Sequence, residues 1–149
     1  MNIGTIGIAA TVTLAAVGSA FGIGAAGMSA IGAMKKSFMQ NKTPPFLLIV
    51  FIAAPLTQII YGFILLIILI QSETAGQLAK MTMGILGGTA MGFSAFFQGK
   101  VGANASDALG ETGKGFGNYI MAIGLVETVA LFVMVFLLIT ASGVFGPLP

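Results

Sequence analysis

The stretch GLVETVALFVMVFLLI, residues 124–139, decides the fold, because it is apolar over most of the length of a membrane-spanning helix. Its only charged residue is Glu127, and every other residue is apolar, glycine or threonine. A carboxylate near the centre of such a helix costs about 2.5–3.5 kcal/mol on insertion scales. Glu127 is therefore a candidate functional residue. The alternative is a neutral glutamic acid that is hydrogen-bonded between helices.

Apolar residues dominate the whole chain as well as this stretch. The 149 residues are 57% hydrophobic and 7% charged, whereas about a quarter of the residues of a soluble domain are charged. Because a helix needs about 20 apolar residues to cross a bilayer, the composition predicts an all-α membrane protein with four transmembrane helices. The predicted spans are about residues 4–34, 45–71, 80–106 and 118–145.

Several functional classes are excluded by the residues that the sequence lacks. The chain has no cysteine and no histidine, which excludes disulfides, thiol catalysis and the usual zinc sites. Its six basic residues are all lysines and are scattered along the chain, so nothing indicates a nucleic-acid partner.

The lysines predict how the chain is oriented in the membrane. Five lysines lie in or beside the first and third connections between spans, and one lies beside the middle connection: Lys35, Lys36, Lys42, Lys100 and Lys114 against Lys80. Cytoplasmic connections carry an excess of lysine and arginine. We therefore expect a multi-pass protein whose first and third connections are cytoplasmic and whose two termini face outward.

The second and fourth spans can be written in the same register. PLTQIIYGFILLIILI, residues 55–70, aligns with residues 124–139, and Gln58 then falls on Glu127. This internal repeat predicts two tandem helical hairpins in the same orientation, residues 1–72 and residues 73–149.

The first and third spans differ in composition from the second and fourth. Small residues recur every three or four positions in spans one and three, for example at Gly18, Gly22, Gly88 and Gly92. This spacing places them on one helix face, where two backbones approach closely. Spans two and four carry bulky apolar residues instead. A small-residue inner layer with a bulky outer layer predicts an oligomeric ring, and ordinary packing within a monomer or dimer is the alternative.

Polar side chains accompany Glu127 at depth in the membrane. Thr57, Gln58 and Tyr61 lie in span two and Gln98 lies in span three. Pro55 has no N–H and therefore loosens the turn around Ala54. Carboxylate, amide, hydroxyl and carbonyl oxygens are the ligands that hard cations prefer, which favours Na⁺. A proton would need only the carboxylate and a hydrogen-bond donor, and each polar residue alone could simply join two helices.

The motifs FFQGKVGANA in span three and LVETVA in span four, with the duplicated hairpin, resemble the proteolipid subunit of V-type and related A/V-type rotary ATPases. The resemblance extends over essentially the whole chain. It implies a ring of identical four-helix subunits that is turned by ATP hydrolysis in a cytoplasmic head, through central-stalk subunits. The ring would carry ions past a membrane stator subunit that supplies an arginine. The chain itself would perform no catalytic chemistry.

The sodium-carrying branch of that family has the motif Pro-x-Thr-Gln-x-x-Tyr-Gly in span two, and residues 55–62 of this chain match it. The resemblance implies Na⁺ ligands at Thr57, Gln58, Gln98 and Glu127 and at the backbone carbonyl of Ala54, with Tyr61 hydrogen-bonded to Glu127. The sequence departs from some relatives at Leu56, which is bulkier than expected and affects the expected shape of the pocket.

Three alternatives to a sodium ring remain open at this stage. A proton-translocating ring of the same family would tolerate apolar residues at Gln58 and Gln98. A small four-helix exporter would couple one membrane glutamate to substrate exchange and would need a cavity lined by aromatic residues. A tetraspan scaffold would leave Glu127 without a role. The sodium-type motif makes a bacterial plasma membrane the expected location, with lipid around the ring.

Overall fold

The computed structural model describes residues 2–143, and these residues form an all-α bundle of long helices. The helices are α1 (Ile3–Met39), α2 (Leu48–Ala53), α3 (Thr57–Gln71), α4 (Gln77–Thr112) and α5 (Phe116–Ala141). A 3₁₀ turn, Ala54–Leu56, joins α2 to α3, so that these two helices form one span. The all-α prediction is confirmed.

The helix ends differ from the predicted spans by a few residues. Helix α1 continues to Met39, beyond the predicted end at residue 34, and α4 continues to Thr112, beyond residue 106. Helix α5 ends at Ala141, whereas the fourth span was expected to reach residue 145. Residues 144–149, which include the end of that span and of the second predicted hairpin, lie outside the described residues.

Three helical segments in the described part of the chain are long and apolar enough to cross a membrane. They are Ile3–Met39, Leu48–Gln71 and Phe116–Ala141. Helix α4 is long enough, but its many glycine, serine and threonine residues make it less apolar. Its membership of the bundle follows from its packing, because α4 pairs with α1 more extensively than any other two helices pair.

Glycine allows α1 and α4 to approach closely. A methyl group built onto a glycine of one helix would overlap the backbone of the other helix at three levels: Gly7 with Gly84, Gly18 with Gly92, and Gly22 with Gly99. The predicted backbone-to-backbone contact of the small-residue spans is therefore confirmed. A larger side chain at these positions would separate the two helices.

The break in span two follows from Pro55. A proline nitrogen cannot donate a hydrogen bond, so the backbone carbonyl one turn earlier loses its helical partner. The predicted loosened turn is observed as the 3₁₀ turn, and the Thr57 hydroxyl lies 3.1 Å from the carbonyl oxygen of Ala54. Leu56 is 46% exposed, so its bulk is directed away from the buried interior of the bundle.

Two hydrophobic clusters stabilise the bundle above and below its middle. One contains Leu65, Met91 and Met134, and the other contains Phe51 and Ile123. Both clusters contain residues of α1, α4 and α5, and the first adds residues of α3 whereas the second adds residues of α2. A buried polar layer lies between them along span two and α4.

Candidate cation site

The carboxylate of Glu127 is held by two side-chain donors from other helices. The Tyr61 hydroxyl of α3 donates to Oε1 of Glu127 over 2.7 Å. The amide Nε2 of Gln98 in α4 lies 3.3 Å from Oε2. Glu127 itself is only partly buried, so the carboxylate lies at the edge of the bundle and not in its centre.

Two glutamine side chains form the buried part of the site. Gln58 and Gln98 both have 0% exposure, and Nε2 of Gln58 donates to Oε1 of Gln98 over 2.8 Å. Nε2 of Gln98 also lies 3.3 Å from the backbone carbonyl oxygen of Ile123 in α5. Because buried amides are costly unless they are hydrogen-bonded, this pair fixes span two, α4 and α5 against one another.

Three further oxygen atoms cluster at the 3₁₀ turn. The Thr57 hydroxyl oxygen lies 3.1 Å from the carbonyl oxygen of Ala54 and 3.2 Å from Oε1 of Gln58. The single hydroxyl hydrogen is therefore directed at this pair of acceptors. The structure brings all six predicted residues, Ala54, Thr57, Gln58, Tyr61, Gln98 and Glu127, into one hydrogen-bonded network.

Two contributors to the site were missed by the sequence interpretation. One is the Ile123 carbonyl, which belongs to the backbone and leaves no signal in the sequence. The other is Ser94, whose hydroxyl donates to the backbone carbonyl of Val126 over 2.9 Å, one residue before Glu127. Its position four residues before Gln98, and so on the same face of α4, is a signal that could have identified it.

Glu127 is reached from the outer surface between α2 and α5. A groove of about 310 Å³ leads to it, lined by Val50, Ala53, Ala54, Ile120, Ile123, Gly124 and Glu127. A larger groove of about 450 Å³ lies between α1 and α4 and is lined by Phe21, Phe93 and Phe96 among other residues. The aromatic-lined groove does not include the carboxylate.

This chain is similar in sequence to known proteins of one kind. Residues 81–140, which contain both Gln98 and Glu127, match the ATP synthase C-subunit family. The K subunit of the A-type ATP synthase of Methanocaldococcus jannaschii is 31% identical over 144 residues, or 96% of this chain. Residues 81–140 of this chain are therefore similar to the ATP synthase C-subunit family. The chain spans 63% of the length of that K subunit, so the relative has further sequence without a counterpart here.

The two comparisons cover different parts of the site. The family match begins at residue 81 and therefore includes α5 and most of α4, but not the 3₁₀ turn or α3. The similarity to the K subunit extends over 96% of this chain, including span two. The similarity to this family and the three long apolar helices among residues 2–143 indicate an integral membrane protein.

Proposed function

We propose that this proteolipid is the ion-carrying subunit of the rotor ring of a V-type or A-type rotary ATPase, and that it carries Na⁺ at Glu127. The observation that supports this proposal is the fully buried pair Gln58 and Gln98, which is hydrogen-bonded beside the carboxylate. A proton carrier would need neither amide. For a dehydrated Na⁺, however, the amide oxygens of both side chains are suitable neutral ligands beside the carboxylate.

The donor set suits a hard cation. Glu127 supplies one negative charge, and Ala54, Thr57, Gln58 and Gln98 supply neutral oxygens within the same network. Oxygen ligands of this kind are preferred by hard cations. One Na⁺ would neutralise the carboxylate, and a neutral complex can face lipid at much lower cost than a bare carboxylate.

Assembly into a ring would cover the apolar surface that one subunit leaves open. Phe21, Met28 and Ile31 on α1 and Leu86 and Phe93 on α4 are each more than half exposed. A water-soluble protein rarely exposes so much contiguous apolar surface. Identical neighbouring subunits and lipid are the partners that suit these faces.

The transport cycle then follows from the charge of the site. Each subunit would load Na⁺ from a stator channel, rotate through lipid as a neutral complex, and release the ion where a stator arginine favours the bare carboxylate. Central-stalk subunits on the cytoplasmic side would turn the ring. The lysine distribution supports outward termini, and we propose a bacterial plasma membrane as the location.

A proton ring is the second candidate, and the contacts of Glu127 support it. The Tyr61 hydroxyl and the Gln98 amide are sufficient to position a carboxyl group that exchanges protons. The exporter alternative is weaker, because the aromatic-lined groove and the groove that leads to Glu127 lie between different pairs of helices.

Carbodiimide labelling of Glu127 tests sodium carriage against proton carriage. The reagent attacks a protonated carboxyl group, so labelling of the purified assembly reports directly on that residue. We expect millimolar Na⁺ to protect Glu127, and we expect the protection to fade at low pH because protons compete with the ion. The Glu127→Gln variant controls for labelling elsewhere in the chain.

Labelling that follows pH but ignores Na⁺ would refute sodium carriage and establish a proton ring. Labelling that responds to neither would refute both forms of the proposal. Potassium at the same concentration provides the control for ionic strength.

A further inference from the structure

Ser19 on α1 is a buried polar side chain that the site described above does not use. Ser19 has 0% exposure, and its hydroxyl has no hydrogen-bond partner among the protein atoms of residues 2–143. Two other buried serines bond to their own helix. Ser37 donates to the carbonyl of Ala33 over 3.1 Å, and Ser106 donates to that of Gly102 over 2.9 Å. Ser19 is an exception, and buried polar groups without a partner are unfavourable.

The level of Ser19 in the bundle can be fixed from its neighbours on α1. A methyl group built on Gly62 of α3 would lie 3.1 Å from the Cβ of Ala15. A methyl group built on Gly22 would lie 3.1 Å from the Cβ of Pro55. The buried face of α1 therefore runs antiparallel along span two, and Ser19 occupies the turn between these two contacts.

Gln58 occupies the corresponding turn of span two. It lies three residues after Pro55 and four residues before Gly62, and all three are buried. Residues at this spacing share one face of a helix. Ser19 on α1 and Gln58 on span two therefore belong to the same layer of the bundle.

One of the two amide hydrogens of Gln58 has no acceptor in the contacts described above. An amide nitrogen carries two hydrogens, and the bond from Nε2 of Gln58 to Oε1 of Gln98 uses one of them. The side chain is fully buried, so bulk solvent does not reach the other hydrogen. Within residues 2–143, this layer thus contains one N–H donor and one hydroxyl oxygen without a protein partner.

We infer that Ser19 is a positioning residue for the cation site, and that its hydroxyl oxygen accepts the second N–H of Gln58 when the ion is bound. This inference rests on the proposed function. An ion drawn to Oε1 of Gln98 competes with the N–H that Gln58 gives to the same oxygen. A hydrogen bond to Ser19 holds the Gln58 amide in place, with its own oxygen beside the Thr57 hydroxyl.

The experiment measures the Na⁺ concentration that half-protects Glu127 from carbodiimide, in the assembled protein and in Ser19→Ala. We expect the variant to need about fivefold to tenfold more Na⁺, which corresponds to the loss of one hydrogen bond. Without Na⁺ we expect its labelling rate to be unchanged and its thermal stability to be equal or higher, because a hydroxyl without a partner has been removed. Ser106→Ala is the matched control, since that hydroxyl bonds to its own helix.

The possible outcomes separate this inference from the proposed function. If the unmodified protein is protected by Na⁺ and Ser19→Ala behaves identically, the inference is overturned and sodium carriage stands. If Ser19→Ala loses stability without Na⁺ while its half-protecting concentration stays unchanged, Ser19 has a purely structural role and the inference is again overturned. If Na⁺ protects neither protein, sodium carriage fails and the inference fails with it.

A second variant keeps the test informative if Ser19→Ala assembles poorly. Ser19→Gly also removes the hydroxyl, and it cannot introduce a clash where α1 packs against its neighbours. We expect the same shift in the half-protecting Na⁺ concentration. An unchanged concentration in Ser19→Gly would overturn the inference.

Discussion

The two hairpins place different chemical groups at the same register position, Gln58 in the first and Glu127 in the second. Gln58 is fully buried and donates to Gln98, whereas Glu127 is partly exposed beside the groove between α2 and α5. The first hairpin thus contributes neutral groups from the interior of the bundle. The second contributes the carboxylate, which can be reached through the groove. The two halves therefore share a helix pattern but place their polar groups in different surroundings, and we expect that they are not interchangeable.

The strongest test of this comparison is to move the carboxylate. We expect Glu127→Gln to abolish ATP-driven uptake of isotope-labelled Na⁺ by vesicles that contain the whole complex. We also expect the exchanged variant Gln58→Glu with Glu127→Gln to remain inactive, because a charge at the fully buried position has no path to the surface. Assembly of both variants is checked by the size of the detergent-solubilised complex. Restored uptake in the exchanged variant would show that the halves are equivalent.

A second test concerns the pairing of α1 with α4. We expect Gly92→Leu to prevent assembly, because even a methyl group there would meet the backbone of Leu14, with its carbonyl oxygen 2.5 Å away. Gly117→Ala, at the exposed start of α5, is the matched control, since a methyl group there meets nothing within 4 Å. We expect that replacement to leave assembly and stability nearly unchanged. The yield and thermal stability of the solubilised complex measure both effects, and equal behaviour of the two variants would refute the packing account.

A third test separates the amides from the carboxylate. We expect Gln98→Leu to raise the Na⁺ concentration that half-protects Glu127 by about tenfold to a hundredfold, because a buried hydrogen bond to a charged group contributes about 1.5–3 kcal/mol. The pH dependence of labelling without Na⁺ should shift far less. If Gln98→Leu leaves protection by Na⁺ intact, the amide only joins helices. Gln40→Leu, in the exposed C-cap of α1, is the control.

The smallest effect is expected at the ion pair between Lys36 and Glu111, which joins the ends of α1 and α4 over 2.6 Å. The Lys36 ammonium lowers the pKa of the Glu111 carboxyl below its usual range, through a hydrogen bond and charge attraction. At pH values above the ordinary pKa of a glutamate, the pair therefore stabilises the folded protein. This contribution is lost as the pH falls through the lowered pKa of Glu111.

Both side chains of this pair are about half exposed, so salt and water screen their attraction. We expect Glu111→Gln to change the thermal stability of the complex only slightly at neutral pH and not at all in acid. A loss comparable to that of Gly92→Leu would show that the helix ends, and not the glycine contacts, hold α1 to α4.

The sequence by itself determined the fold class, and it singled out six residues that the structure joins in one hydrogen-bonded network. Runs without charge predicted the helices, because a bilayer admits few other residues. The register of Gln58 with Glu127 indicated two related halves, and Pro55 indicated the irregular turn. Hydropathy was less informative for α4, whose place in the bundle depends on glycine contacts with α1.

Only the tertiary structure decided how the polar residues meet and which atoms face one another. It directed Gln98 to both Glu127 and the Ile123 carbonyl, brought Ser94 to α5, and left Ser19 without a partner among the described residues. These contacts join atoms on different helices, and several of the atoms belong to the backbone. The physical reason is that a one-dimensional pattern fixes which face of a helix a residue occupies, whereas the rotation and level of each helix are set by packing against its neighbours.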